Sequence, residues 1–160
     1  MAKNYVFKRR VPHGDNNLHK EVNRMKLLTK EIEALFKKIG RQEGNNDPTV
    51  FAHFFNPSGP GDWGATELYY VIRKEQPGRE AEITEVEASK MNGEVEGVVV
   101  DINFYGYVSI HGDFCDEWGY FDLSELESVK CPPFGMGIDR DLYFDPKPIS
   151  KACAKAVGKK

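Results

Sequence analysis

Four carboxylates towards the C-terminal end, Glu125, Glu127, Asp139 and Asp141, come nearest in this chain to a set that could do chemistry. Acids two residues apart on a strand project to the same side, so Asp139 and Asp141 could share a divalent cation with a helix-borne pair. Arg140 lies between them and points the other way. An ion pair from Arg140 to Glu125 or Glu127 would tie the last strand to the short helix before it, and that structural use is the stronger reading. The remaining acids, Asp113, Asp116 and Glu117 with Asp139 and Asp141, then read as an interaction surface.

His111, Cys115 and Cys131 invite a zinc or thiol reading, but zinc ligands come in close, repeated pairs, and His53 or Cys153 would have to be recruited from afar. Cys131 stands before two prolines in a loop and reads as accessible, with nothing beside it to activate a thiolate. His53, inside an apolar run, reads as a hydrogen-bonded sheet residue. The glycines of 56–64 and 135–137 lack the strand, glycine and helix order of a phosphate loop. No nucleophile sits beside a base. The expectation is a protein without catalytic residues, metal or cofactor. Trp63, Tyr69, Tyr70, Phe104, Tyr105, Tyr107, Trp118 and Tyr120 could stack on the bases of a single strand, yet such platforms need surrounding cations.

Cations lie elsewhere. Residues 1–41 hold eleven Lys or Arg against four acids, residues 42–146 hold six against twenty-one, and residues 147–160 hold five against none. An acidic body between basic ends reads first as ends that fold back on the body and solubilise it, and beyond that supports two kinds of partner: a protein docking on the acidic face, or nucleic acid held by Lys8, Arg9, Arg10, Lys37 and Lys38. The 160 residues are 40% hydrophobic and 12% aromatic, with a net charge of -3, which suits one folded domain and excludes wholesale disorder. No apolar run approaches a membrane span, and the N-terminus lacks a signal-peptide pattern. An odd cysteine count fits reduced thiols in a cytoplasm.

The elements that must position these residues can be read along the chain. Residues 1–24 read as a flexible basic arm broken by Pro12 and Gly14. A single α+β domain spans 25–150, and 151–160 form a Lys-rich tail. Leu27 to Gly40 is an amphipathic helix, capped by Thr29 and closed by Gly40, that presents Ile32, Leu35, Phe36 and Ile39 to a sheet. Thr49–Phe55 and Trp63–Arg73 read as antiparallel strands joined by a proline-glycine reversal. Residues 79–96 are ambiguous between a solvated helix and an edge hairpin, with Asn92-Gly93 as a turn. Val95–Ile110 is one long bent strand or two shorter ones. Gly119–Phe121 is a strand running into a short helix capped by Asp122 or Ser124, and Ile138–Phe144 is the last strand. The expected fold is that N-terminal amphipathic helix on a mainly antiparallel, twisted sheet of about five or six strands.

Two motifs are specific: Gly119-Tyr120-Phe121-Asp122-Leu123-Ser124-Glu125-Leu126-Glu127, and Asp139-Arg140-Asp141-Leu142-Tyr143-Phe144. With Leu27–Glu31, Asp47–Pro57, Trp63–Glu67 and Gly106–Val108, they make residues 25–150 resemble a family of domains of unknown function carried by bacterial plasmids, integrative elements and phages. The resemblance implies no activity. It does imply a setting, conflict with host defences, and a non-enzymatic domain that binds a host or element-encoded protein. A nucleic-acid accessory factor using the basic arm is the alternative. The arm, the Glu-rich stretch around 75–96 and the lysine-rich end look like additions to the family's usual extent.

Overall fold

The computed structural model describes residues 26–91, 95–110 and 116–153. The expected arm with Lys8, Arg9 and Arg10, the Asn92-Gly93 turn, His111, Asp113, Cys115 and the tail from residue 154 onwards lie outside the described residues. In chain order the elements are α1 (Lys30–Ile39), β1 (Thr49–Val50), β2 (Ala52–Phe55), β3 (Asp62–Lys74), β4 (Glu82–Glu87), β5 (Val98–Ser109), β6 (Glu117–Asp122), α2 (Leu123–Ser128), β7 (Asp139–Arg140), β8 (Lys147–Pro148) and α3 (Ile149–Ala152). The fold is mixed, with a six-stranded antiparallel sheet in the order β6-β5-β3-β2-β7 and with β4 also on β3.

β3 organises the sheet because its 13 residues exceed what any one neighbour on its second edge can cover. β5 runs along one side of it. On the other side β2 pairs with Asp62 to Ala65, and β4 pairs with Tyr69 to Lys74. The Glu-rich stretch is therefore an edge strand followed by a single 3₁₀ turn at Ala88–Lys90. β5 is one strand, and two irregularities bend its ladder with β3, between Ala65 and Glu67 and between Val71 and Ile72. At the first, Thr66 is the extra residue; its Oγ1 donates to the Tyr105 carbonyl at 3.0 Å. Gly106 sits where backbones crowd, since a Cβ there would fall on the Gly64 carbonyl oxygen.

One face of the sheet is buried under helices. Phe36 of α1 meets Phe51 at 5.2 Å and Phe104 at 5.9 Å between ring centroids, and Phe104 meets Phe54 and Phe121. Leu68, Tyr70, Leu123 and Leu126 complete this core. Thr29 accepts the Ile32 N–H at 3.2 Å ahead of α1, and Gly40 ends it with φ 71°. Tyr70 donates its buried hydroxyl to Glu33, and Lys37 lies 3.6 Å from Glu33.

Three sequence expectations are corrected. The strand expected over Thr49–Phe55 is broken at Phe51, whose N–H goes to the Ala65 carbonyl at 2.9 Å; β1 leaves the main sheet and pairs with β8. The strand expected over Ile138–Phe144 is only the two residues of β7 and is not the last, since β8 follows it; the Asp141 carboxylate accepts the Tyr143 N–H at 3.0 Å and turns the chain. Cys131 is 2% exposed rather than accessible, held in a tight reversal by its N–H to the Met136 carbonyl at 2.7 Å.

Candidate functional site

On the sheet face away from α1, side chains of β3, β5 and β6 form a ladder of rings. Tyr69 stands 6.2 Å from Tyr120, Tyr120 4.9 Å from Tyr105, and Tyr105 5.9 Å from Trp118, which in turn meets Tyr107 edge-on. Register explains the grouping: Tyr120 lies opposite Tyr105 and Trp118 opposite Tyr107, while Glu67 on β3 faces Tyr105 from the other side. The extra residue Thr66 resets the alternation of β3, so that Glu67 and Tyr69 share the ring face while Leu68 and Tyr70 enter the core.

Part of this face is covered. Val50, Tyr107 and Ile149 form a second small core with Trp118, Phe144 and Ala152 packed against it. Asp47 secures that cover by accepting the Ser150 N–H at 2.9 Å and its hydroxyl at 2.6 Å, bonds that hold its carboxyl below the ordinary range. Among the described residues the cover ends at Trp118. Beyond it Tyr120 is 62% exposed.

Carboxylates surround the rings. Glu67 is buried, accepting the Gln42 N–H at 2.6 Å and the Tyr69 hydroxyl at 2.7 Å. Burial first and then the Glu67 bond push the Tyr69 hydroxyl well above its ordinary range; burial, Tyr120 and Glu67 raise Tyr105. Glu85 accepts from Asn103 at 3.3 Å. Burial raises the Asp122 carboxyl, and Asp101, Glu125 and Glu85 push it further in the same direction. Among the described residues, Arg41 and Arg73 approach this face, and Lys90 pairs with Glu87 opposite Tyr69. Arg41 pairs with Glu43 at 2.7 Å and its charge is further favoured by Tyr69, Glu67 and Glu87; Arg73 pairs with Glu75 at 2.9 Å.

Of the acids expected to form an interaction surface, the described ones fall at two edges of the sheet. Asp116 accepts the Tyr107 hydroxyl at 2.7 Å and Glu117 opens β6, whereas Asp139 and Asp141 lie at β7, the opposite edge of the sheet. Asp141 is drawn to His53: its carboxylate lies 3.4 Å from Nδ1, while Asp62 lies 2.7 Å from Nε2. With a carboxylate beside each nitrogen, His53 ties β2 to the starts of β3 and of the turn after β7. Arg140 Nη1 donates to the carbonyls of Lys26 at 2.6 Å and Leu27 at 3.5 Å, anchoring the chain ahead of α1. Glu125 and Glu127 are exposed on α2. Lys37 is engaged with Glu33 and with the Tyr70 ring at 5.5 Å, and both Lys37 and Lys38 sit on α1, across the sheet from the ring ladder.

Among the described residues no group of three or more His, Cys, Asp or Glu is arranged to hold a metal ion. A groove of about 530 Å³ lies on the helix side, lined by Trp63, Leu126, Val129 and Ile138 with Glu125 and Lys130. Gln42 and Asp101 were missed in the sequence. Gln42 gives its Nε2 to the carbonyls of Thr49 and Thr66, both at 2.8 Å, and takes the Thr49 N–H at 2.7 Å. Asp101, on β5, accepts from the Ser124 N–H and hydroxyl at the start of α2, the task expected of Asp122 or Ser124. Both work across distant segments, and neither leaves a local signal.

Among the described residues no helix is long and apolar enough to cross a membrane. No curated protein and no solved structure matches the chain. The family described as "Protein of unknown function (DUF2958)" matches residues 87–159, from the last residue of β4 through β5, β6, α2 and the C-terminal cover, so this part of the chain, which carries both sequence motifs and the Tyr105, Trp118 and Tyr120 rings, is similar to that family.

Proposed function

We propose that this chain is a non-enzymatic protein-interaction domain that binds a host or element-encoded protein through an acidic face of its sheet. The observation that supports it is the ladder of half-buried Tyr69, Tyr105 and Trp118 with exposed Tyr120, set among Glu67, Glu85 and Asp122. Aromatic surface left open on one side of a sheet and rimmed by charge is what partner recognition uses. The chemistry-bearing cluster nearest to a catalytic arrangement, His53 with Asp62 and Asp141, is committed to holding three segments together. The mobile-element setting, and within it a counter-defence role, rest on the resemblance of the two C-terminal motifs.

The test is affinity capture from infected or plasmid-bearing cells with the full chain, with Glu85→Lys, and with a chain lacking residues 1–24. A protein captured by the full chain and the truncated one but lost from Glu85→Lys is the expected result. Nucleic acid retained at low salt, and lost only on deleting 1–24, would refute the reading in favour of a basic-arm accessory factor.

A further inference from the structure

Resting on that interaction reading, we infer that the exposed ring of Tyr120 and the half-buried rings of Tyr69, Tyr105 and Trp118 beside it form a docking track for the arginine or lysine side chains of an extended segment of the partner protein. α3 and β8 lie over Val50 and Tyr107 and reach Trp118, so the next rung of the ladder, Tyr105 with Tyr120, is the first without cover among the described residues. Four large rings at spacings of 4.9 to 6.2 Å are not dispersed surface aromatics; they are one continuous π surface.

Their setting selects the ligand's charge. A ring face attracts a cation. The Glu67 carboxylate stands behind Tyr69 and fixes that ring through its hydroxyl, and Glu85 and Asp122 flank the rung at Asn103. Phosphates of a nucleic acid would meet these same acids, which argues against base stacking here despite suitable rings. The two nearby arginines, Arg41 and Arg73, are each paired with a glutamate of their own segment. A guanidinium or ammonium placed over Tyr120 gains from the ring and from the carboxylates together. An extended chain presents side chains on one face about 7 Å apart, close to the ring spacing, so successive cations can meet successive rings.

The probe is an end-blocked eight-residue peptide of alternating Arg and Ser, titrated into the full chain at low salt and followed by amide NMR shifts, with an alternating Glu and Ser peptide and oligothymidylate for comparison. The expected result is saturable binding of the Arg peptide alone, with shifts centred on Tyr69, Tyr105, Trp118 and Tyr120. Tyr120→Leu should weaken it about fivefold, and Tyr120→Phe, which keeps the ring, by less than about twofold. Equal affinity for wild type and Tyr120→Leu, with loss only in Glu85→Lys, would overturn the ring track and leave the acidic-face reading standing. Absence of binding, or tighter binding of oligothymidylate at these rings, would also overturn it. So would movement of the same signals on truncating the free chain after Cys153, which would assign the face to this chain's own lysine-bearing end.

Discussion

Replacing Gln42 tests how the fold builds its aromatic face, because this one side chain joins three segments that are distant in sequence. Gln42 is 7% exposed, and its amide makes three hydrogen bonds, two donated to the Thr49 and Thr66 carbonyls and one accepted from the Thr49 N–H. Each such bond contributes about 1 kcal/mol net, and the buried Thr66 carbonyl left behind carries its own desolvation cost. The rotamer freedom recovered by losing a glutamine offsets about 1.5 kcal/mol. Gln42→Ala should therefore cost about 3 kcal/mol, which for a domain of this size lowers the melting temperature by about 6–12 °C. Gln42→Met keeps the volume without the bonds and should fall nearly as far. Gln42→Glu should be worse than alanine at neutral pH, because an oxygen then faces two carbonyl oxygens. The Gln42 backbone N–H also holds Glu67, which holds Tyr69, so loosening this loop should broaden the Tyr69 ring signals as well. Circular-dichroism melts and urea titrations measure all three. Melting temperatures of Gln42→Ala and Gln42→Met within about 2 °C of wild type would refute the reasoning.

A folded-state carboxyl that is raised, as Asp122 is by burial and by Asp101, Glu125 and Glu85, gives its full relative stability below the unfolded value, near 3.8, and loses it as pH rises through the raised folded value. Asp122→Asn should thus match wild type at about pH 3 and melt higher at about pH 7; a gap that closes towards neutral pH would contradict the assignment. Gly106→Ala should cost about 3 kcal/mol or prevent folding, since the new Cβ meets backbone that cannot move aside, whereas Gly119→Ala, with nothing within 4 Å, should stay within about 0.5 kcal/mol in urea titration.

Local chemistry carried a good deal of the sheet. The antiparallel pairing of the 49–55 and 63–73 segments was legible because β-branched and aromatic runs were separated by an unmistakable proline-glycine reversal, and the 119–127 motif showed a strand entering a helix. The aromatics, too, were visible as candidates and their lack of cations was visible with them. What failed were decisions made by other segments. Residues 79–96 stayed ambiguous because the half-open edge of β3 that they fill is not a property of their own sequence. The last strand ended early because Asp141 bonds to its own turn and to His53, 88 residues away.

The amino-acid pattern by itself determined a mixed fold with an antiparallel sheet, since alternation and turn residues act within a few positions. It also determined an acidic body between basic ends, which composition alone dictates. Only the tertiary structure decided which of eight aromatic residues lie together on one face, with Tyr120 exposed at it. One extra residue at Thr66 resets the faces of β3, and a cover that among the described residues reaches no farther than Trp118 leaves Tyr120 exposed. Register and coverage are set by contacts between segments that meet only after folding, and so no window of the sequence could have shown them.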